Sequence, residues 1–178
     1  LQESKAHDEW PTEGKITFKN YSVSYRPGTP LVLKNLNFTI SPKEKIGIIG
    51  RTGSGKSTIC LCLFRILDPV TGTIFIDEND ICNMNLLFLR KKLTIIPQDP
   101  CLVKGTLRYN IDPINEYDNK EILDLIKHIG FDEEFSRDDI CEFDEILDSE
   151  IEEGGSNLSV GQKQVICIMR AFLRVSYI

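Results

Sequence analysis

The chain has 178 residues with 21 basic and 27 acidic side chains, a net charge of −6, and its length suits a single domain. Its 41% hydrophobic and 27% charged residues are the balance of a soluble globular chain that buries a core. The acidic surplus argues against broad nucleic-acid or anionic-membrane binding, which needs clustered Lys and Arg; no apolar run approaches the ~18 residues of a membrane span.

In chain order, residues 1–14 read as a linker leading through Trp10 and Pro11, too polar for a secretory leader, with Trp10 expected to pack rather than to act. KITFKNYSVSY alternates apolar and polar residues, Ile16, Phe18, Tyr21, Val23 and Tyr25 carrying the large side chains. That is a half-buried strand whose phase slips at Asn20, the mark of a bulge. RPGTP is turn chemistry. LVLKNLNFTI gives a second strand through Leu33, Leu36, Phe38 and Ile40, so an antiparallel layer opens the fold. KIGIIG is then almost wholly apolar, as a strand covered on both faces would be. A helix is expected over 56–67, a strand and turn in TGTIFIDEND, a helix in NLLFLRKK, a second buried strand in LTIIPQ and a short helix over 106–111. Helical periodicity returns over 119–147 through Ile122, Leu125, Ile126 and Ile129, with Gly130 as a stop. SNLSVGQKQVICIMRAFLR reads as a loop and a long helix whose N-cap is Ser159. His128 falls on a helix surface, His7 in the linker, and the acidic run over 132–153 reads as a solvated helical face. Strand, glycine loop and helix together indicate an α/β fold with a parallel core. The six cysteines have no CxxC spacing and the two histidines are scattered, so reduced cysteines are expected and a zinc site is not.

Gly50, Arg51, Thr52, Gly53, Ser54, Gly55, Lys56 and Ser57 fit G-x-x-x-x-G-K-[ST], and together with Thr58 they are the expected nucleotide-binding residues. Each residue type answers a physical need. Glycines let the backbone turn so that successive N–H groups point inward. The helix that follows offers its positive end to the same anion. Lys56 would reach the β and γ phosphates and the Ser57 hydroxyl would ligate Mg²⁺. A chance match occurs in on the order of one in a hundred chains of this length, but here the loop also follows an apolar strand and opens a helix. Nucleotide binding follows; the kind of nucleotide-binding protein does not.

The flanking motifs go further. LSVGQ, formed by Leu158, Ser159, Val160, Gly161 and Gln162, resembles the LSGGQ signature of ABC ATPases. Gln98 closes LTIIPQ as their Q-loop glutamine does, and Tyr25 stands where their adenine-stacking aromatic stands. GRTGSGKST, IIPQDP, GTLRYNIDP and EGGSNLSVGQ, with the opening WPTEGKITFKNYSVSYRPG, together resemble the second nucleotide-binding domain of C-subfamily, multidrug-resistance-protein-like transporters. The likeness runs over residues 10–174. It implies a P-loop NTPase fold of the ABC ATPase type over 15–178, with a parallel core sheet, an N-terminal antiparallel β layer and a helical signature subdomain. It implies ATP and Mg²⁺ as ligands and Gln98 in contact with Mg²⁺ and the attacking water. Residues 158–162 would face ATP held by a second nucleotide-binding domain, and the transmembrane domains of the same transporter would be the other partners. The domain would lie on the cytoplasmic side, touching the membrane only through segments outside this sequence. Read alone, Tyr25 is a strand-face aromatic, Gln98 a polar residue ending a strand, and Ser159 a helix cap. Val160 replaces the usual middle glycine of the signature but keeps its backbone N–H.

The family's next elements do not follow. No apolar strand ending in Asp-Glu comes after the signature helix, nor the D-loop and switch histidine beyond it, so the sequence reads as C-terminally truncated and, alone, inactive in hydrolysis. Leu1 is no initiator, and the chain is expected to be a piece of a longer exporter in which ATP hydrolysis drives transport. Two other readings stay open: a non-catalytic product of a truncated gene, and a soluble ABC ATPase of DNA repair or translation.

Overall fold

The computed structural model describes residues 10–131, 143–174 and 178. They form two compact units, one of residues 10–94 with Ile178 and one of residues 95–174.

The first unit is built on a four-stranded antiparallel sheet in the order β2-β1-β3-β4. Its strands are β1 (Ile16–Val23), β2 (Leu33–Ile40), β3 (Thr71–Ile76) and β4 (Asn79–Asp80). The phase slip in KITFKNYSV is a real bulge. Asn20 takes φ 49° and the β1–β2 register shifts between Phe18↔Phe38 and Tyr21↔Leu36. The extra residue lets Ile16, Phe18, Tyr21 and Val23 all stay buried. Asn35, at φ 47°, makes the answering slip in β2 that brings Leu33 and Leu36 to one face. Asn37 holds the pair, accepting from the Asn20 N–H at 2.9 Å and donating to the Asn35 carbonyl at 3.0 Å. Phe18 stacks on Phe38 at 4.5 Å between centroids and meets Tyr21 edge-on at 5.5 Å. β3 passes so close to the bulge that a Cβ on Gly72 (φ 73°) would lie 2.2 Å from the Asn20 carbonyl oxygen; only glycine fits there.

Residues 10–15 are fastened to this sheet. The Trp10 indole N–H donates to the Ile76 carbonyl at 3.1 Å, and its ring lies 5.7 Å from that of Phe88. Trp10 therefore packs, as its sequence context suggests. Asp77, in the β3–β4 turn, accepts the backbone N–H groups of Thr12, Glu13, Gly14 and Lys15 at 2.8–3.2 Å. Partial burial alone would raise its carboxyl pKa, but these four donors outweigh that and hold it below the ordinary carboxylate range. A carboxyl with a depressed folded-state pKa stabilises the fold above its unfolded pKa, and that stabilisation is lost as pH falls through the folded value. Backbone-amide protection of residues 12–15, followed by hydrogen exchange at falling pH, should drop below about pH 4. Asp77→Asn should flatten that drop and cost about 1–2 kcal/mol at neutral pH; an unchanged acid limb would show that Asp77 contributes nothing to it.

Two helices complete this unit, α1 (Lys56–Leu63) and α2 (Leu86–Lys92), the latter capped by the Asn85 side chain on the N–H groups of Leu87 and Phe88. α1 stops at Leu63, short of the expected 67. Arg65 takes the left-handed conformation at φ 47°, and the N–H groups of Arg65 and Ile66 turn back onto Cys62 and Leu61, closing the helix end. Arg90 donates to the carbonyls of Phe64 and Arg65, and Arg65 to those of Ile81 and Met84.

The parallel core strands expected at 45–50 and 93–98 are not formed among the described residues. Neither segment joins a ladder. Ile46, Ile48 and Ile49 are 49%, 48% and 99% exposed, and in the second unit Ile95 and Ile96 are exposed as well. The composition of a doubly covered strand is there, but a parallel strand is buried only between neighbours, and the described residues supply none. Leu93 is buried, and Thr94 donates a single backbone bond to Ile178 at 2.9 Å.

The second unit is mainly helical: α3 (Leu107–Ile111), α4 (Asn119–Ile129) and α5 (Val160–Leu173), with a two-stranded ribbon of β5 (Gly105–Thr106) and β6 (Glu150–Ile151). α4 begins with a capping box between Asp118 and Glu121 and ends on Gly130 at φ 73°, where expected. Its apolar residues Ile122, Leu123 and Ile126 share a core with Leu107, Ile111, Ile151, Ile166 and Met169. His128 is exposed on α4. Of the helical stretch expected over 119–147, α4 accounts for Asn119–Ile129; its part over 132–142 lies outside the described residues, and Phe143–Asp148 is a 3₁₀ turn. The rest of the acidic run is not a solvated helical face. It forms short 3₁₀ turns (Phe143–Asp148 and Glu153–Gly155) around β6, and Ile146, Leu147 and Ile151 face the core. Counting charges there hides three apolar residues that packing uses.

Candidate functional site

The glycine loop over 50–58 is a tight turn feeding directly into α1. Ser54 donates its N–H to the Arg51 carbonyl at 3.1 Å. Gly53 and Gly55 both adopt left-handed backbone, φ 79° and 90°. At Gly55 a Cβ would also come within 2.9 Å of Leu33, so the spacing of glycines in this loop is steric as well as conformational. Gly55 is the N-cap of α1, with no side chain capping the helix and no acidic residue in its first turn. The first N–H groups of a helix have no partners within it and carry the positive end of its dipole. Their bias is toward an anion.

Lys56 folds back over the loop. Its ammonium donates to the carbonyls of Gly50 at 2.7 Å and Arg51 at 2.9 Å. A cation held only by neutral carbonyl oxygens binds anionic oxygens more strongly. Arg51, Thr52, Gly53, Ser54 and Ser57 are exposed, and Ser57 lies in the first turn of α1 beside Lys56. Thr58 is buried.

Tyr25 follows β1 and reaches this loop. Its hydroxyl lies 2.9 Å from the Thr58 hydroxyl, while the residue stays 56% exposed. The structure thus brings together Tyr25 and residues 50–58, which sequence spacing leaves 25 residues apart at the nearest. Cys60 is exposed on the same helix, and Cys62 is buried. Burial pushes the Cys62 thiol up, as it does the phenol of Tyr21 that shares a hydrogen bond with it. Among the described residues no cluster of His, Cys, Asp or Glu has the make-up of a metal site.

The other expected site residues lie in the second unit. Gln98 is exposed. Ser159 caps α5 in full, its hydroxyl accepting the Gln162 N–H at 3.2 Å while Gln162 returns its carbonyl to the Ser159 N–H at 2.8 Å. The capping role of Ser159 is confirmed, and Gln162 is its reciprocal half. The S-x-x-Q spacing carried that signal in the sequence. Val160 is 70% exposed and Gly161 is exposed with it, while Leu158 packs against the core. Lys163 donates to the Gly154 carbonyl at 2.9 Å, tying the loop before the helix to its first turns.

Sequence reasoning missed the device that places α5. Buried Asn110 on α3 donates to the carbonyls of Val103 and Thr106 and accepts the Val103 N–H at 3.0 Å. Arg170 on α5 reaches the Asn110 carbonyl and, at 2.9 Å, that of Cys101. On the same helix as Asn110, Arg108 gathers the loop after α3, donating to Asp112, Asn115, Tyr117 and Asn119. Burial would raise the Asp112 carboxyl, but the N–H groups of Tyr117 and Glu116 and the Arg108 guanidinium hold it low. The only hint in the sequence is polar residues set among the apolar ones of LRYNID.

The sequence profile described as ABC transporter matches residues 33–178. The "ATP-binding cassette sub-family C member 3" of Rattus norvegicus is 48% identical over 99% of this chain, which spans 11% of that protein. The human "ATP-binding cassette sub-family C member 2" is 47% identical over 96% of the chain, again with 11% of the relative covered. The "Bile pigment transporter 1" of Saccharomyces cerevisiae is 45% identical over 99% of the chain and 12% of its own length. Among solved structures, "Structure of a bacterial Atm1-family ABC exporter with ATP bound" superposes with a TM-score of 0.82 at 31% identity, covering 93% of this chain and 28% of that one. The profile match and the fold agree with the motifs read from the sequence: this chain belongs to the ABC transporter family and has the ABC ATPase fold.

Proposed function

We propose that this chain is the ATP-binding part of a sub-family C type exporter, holding the triphosphate with residues 50–58 and the adenine against Tyr25. The observation that carries the reading is Lys56, whose ammonium is folded over a loop of left-handed glycines at the uncapped start of α1. The loop's N–H groups would take the phosphate oxygens, and Lys56 would exchange two carbonyls for the β and γ phosphates. Mg²⁺, when bound, would neutralise phosphate charge, with Ser57 among its ligands. The exposed ring of Tyr25 supplies a flat apolar face for the base. The α5 start, with Ser159, Val160 and Gly161 exposed beside Leu158 and Gln162, would meet ATP on a second nucleotide-binding domain. In that closed pair, hydrolysis would be coupled to movement of a substrate through the transmembrane domains. The relatives' names and the ATP-bound exporter with the same fold support this reading. Because the chain spans 11% of the rat relative, the missing partners would be other parts of the same transporter, and this part would lie on its cytoplasmic side.

Tyr25 gives the direct test. In the full-length protein, Tyr25→Ala should weaken ATP binding by about 1–3 kcal/mol, the worth of one base–aromatic stack, while Tyr25→Trp should be tolerated. Wild-type affinity in both variants would place the adenine elsewhere.

A further inference from the structure

We infer that Arg170 is a positioning residue for ATP held by the second nucleotide-binding domain: by gripping the carbonyls of Cys101 and Asn110, it sets where the start of α5 stands. The inference rests on the reading that residues 158–162 face that ATP. Arg170 itself lies in the last turns of α5, roughly 16 Å from Ser159 at about 1.5 Å of rise per residue. Its guanidinium donates through Nε to the Asn110 carbonyl, through Nη1 to the Cys101 carbonyl at 2.9 Å, and through Nη2 to Asn110 Oδ1 at 3.4 Å. Three donors of one planar fork thus meet acceptors on two separate stretches of chain.

Ile166 and Met169 pack α5 into the core beside Leu107, Ile111 and Ile122. Apolar burial has little directional preference, and helices slide by about 1–2 Å across such contacts in switching proteins. Hydrogen bonds are directional, and they set the register. Lys163 binds the Gly154 carbonyl, which ties the preceding loop to α5 but does not tie α5 to the rest of the unit. Arg170 makes that second attachment, and its acceptors are themselves held. Asn110 is 1% exposed, and its side chain is fastened to the backbone of Val103 and Thr106. Its carbonyl lies in the last turn of α3, where carbonyls have no partner within the helix. A rod gripped at its far end carries any shift there to its start, where Ser159, Val160 and Gly161 are exposed.

A purely structural arginine would loosen both nucleotide sites or neither; an anchor of α5 acts on one. The experiment loads the full-length protein with radiolabelled azido-ATP, dilutes it into unlabelled ATP for increasing times and crosslinks by light. Limited proteolysis then separates the two nucleotide-binding domains, and the label on each is counted. Arg170→Lys, which keeps the charge and loses the fork, should speed release from the second domain about tenfold, the scale of one lost hydrogen bond from a charged donor. Release from this chain's residues 50–58 should stay at the wild-type rate. Arg170→Gln carries the same expectation and replaces the lysine variant if that one does not fold. Arg108→Lys is the matched control: it loses a fork of the same kind in the same unit, on Asn115, Tyr117 and Asn119, and should leave both rates unchanged. Equal speeding at both domains in Arg170→Lys, an equal effect of Arg108→Lys, or wild-type release from the second domain would overturn the anchor. Val160→Glu tests the underlying reading separately. A carboxylate suits the first turn of a helix but repels a phosphate that faces it, so release from the second domain should again be faster. Wild-type release in Val160→Glu would instead overturn the reading of residues 158–162.

Discussion

Lys56→Ala should weaken ATP binding at this site by a factor of about 30 to several thousand. The ammonium is folded over the turn, and its two present partners are neutral carbonyls of Gly50 and Arg51. Removing it would take from the β and γ phosphates the cation that the loop itself holds in place. Truncating one member of a desolvated charge pair costs about 2–5 kcal/mol, so affinity should fall by a factor of about 30 to several thousand. Lys56→Arg should fail as well, though less completely, because a planar fork does not replace a compact ammonium in a narrow loop. The substitution should leave the fold alone, since the two bonds it removes lie within an exposed loop. Its thermal unfolding in the absence of nucleotide should therefore match the wild type. A labelled-ATP titration showing unchanged affinity would remove Lys56 from the phosphate site, and with it the assignment of residues 50–58.

The parts legible in the sequence are those whose cause is local. The glycine loop is dictated by its own left-handed residues, and the Asn20 bulge by the interruption of a period-two pattern. The stop at Gly130 and the cap at Ser159 follow from single residues with one favoured role. Failures came where the cause is distant in sequence. KIGIIG has the apolar content of a covered strand, yet coverage depends on neighbours that no local pattern reveals. The early end of α1 is fixed by Arg65, whose guanidinium is held by Ile81 and Met84. Asn110 and Arg170 are 60 residues apart, and nothing in either neighbourhood announces the other. At the site the same division holds: the residue types of the phosphate loop were readable, while the tie between Tyr25 and Thr58 needed coordinates.

Expressed alone, these 178 residues should not give a cooperative, monomeric domain, and the reason lies in the exposed isoleucines. In the first unit Ile46, Ile48 and Ile49 stand uncovered on a segment without ladder partners. Fully burying one such side chain is worth about 1.5–3 kcal/mol; with Ile46 and Ile48 already half covered, the three together withhold roughly 3–6 kcal/mol. The whole net stability of a domain is only about 5–15 kcal/mol. An unpaired apolar segment is also a template for association with another chain. Calorimetry should show a broad or absent transition, and sedimentation should show mass rising with concentration. A chain continued to the full nucleotide-binding domain of its relatives should instead unfold sharply as a monomer. Ile48→Asn then makes the test two-sided. On the 178-residue chain it should reduce association, because it adds polarity to an exposed edge. In the longer chain, where the strand is covered, it should cost about 2–4 kcal/mol for placing an amide in an apolar layer. A sharp, concentration-independent transition of the short chain, or an Ile48→Asn effect of the same sign in both lengths, would show that residues 45–50 await no partner strand.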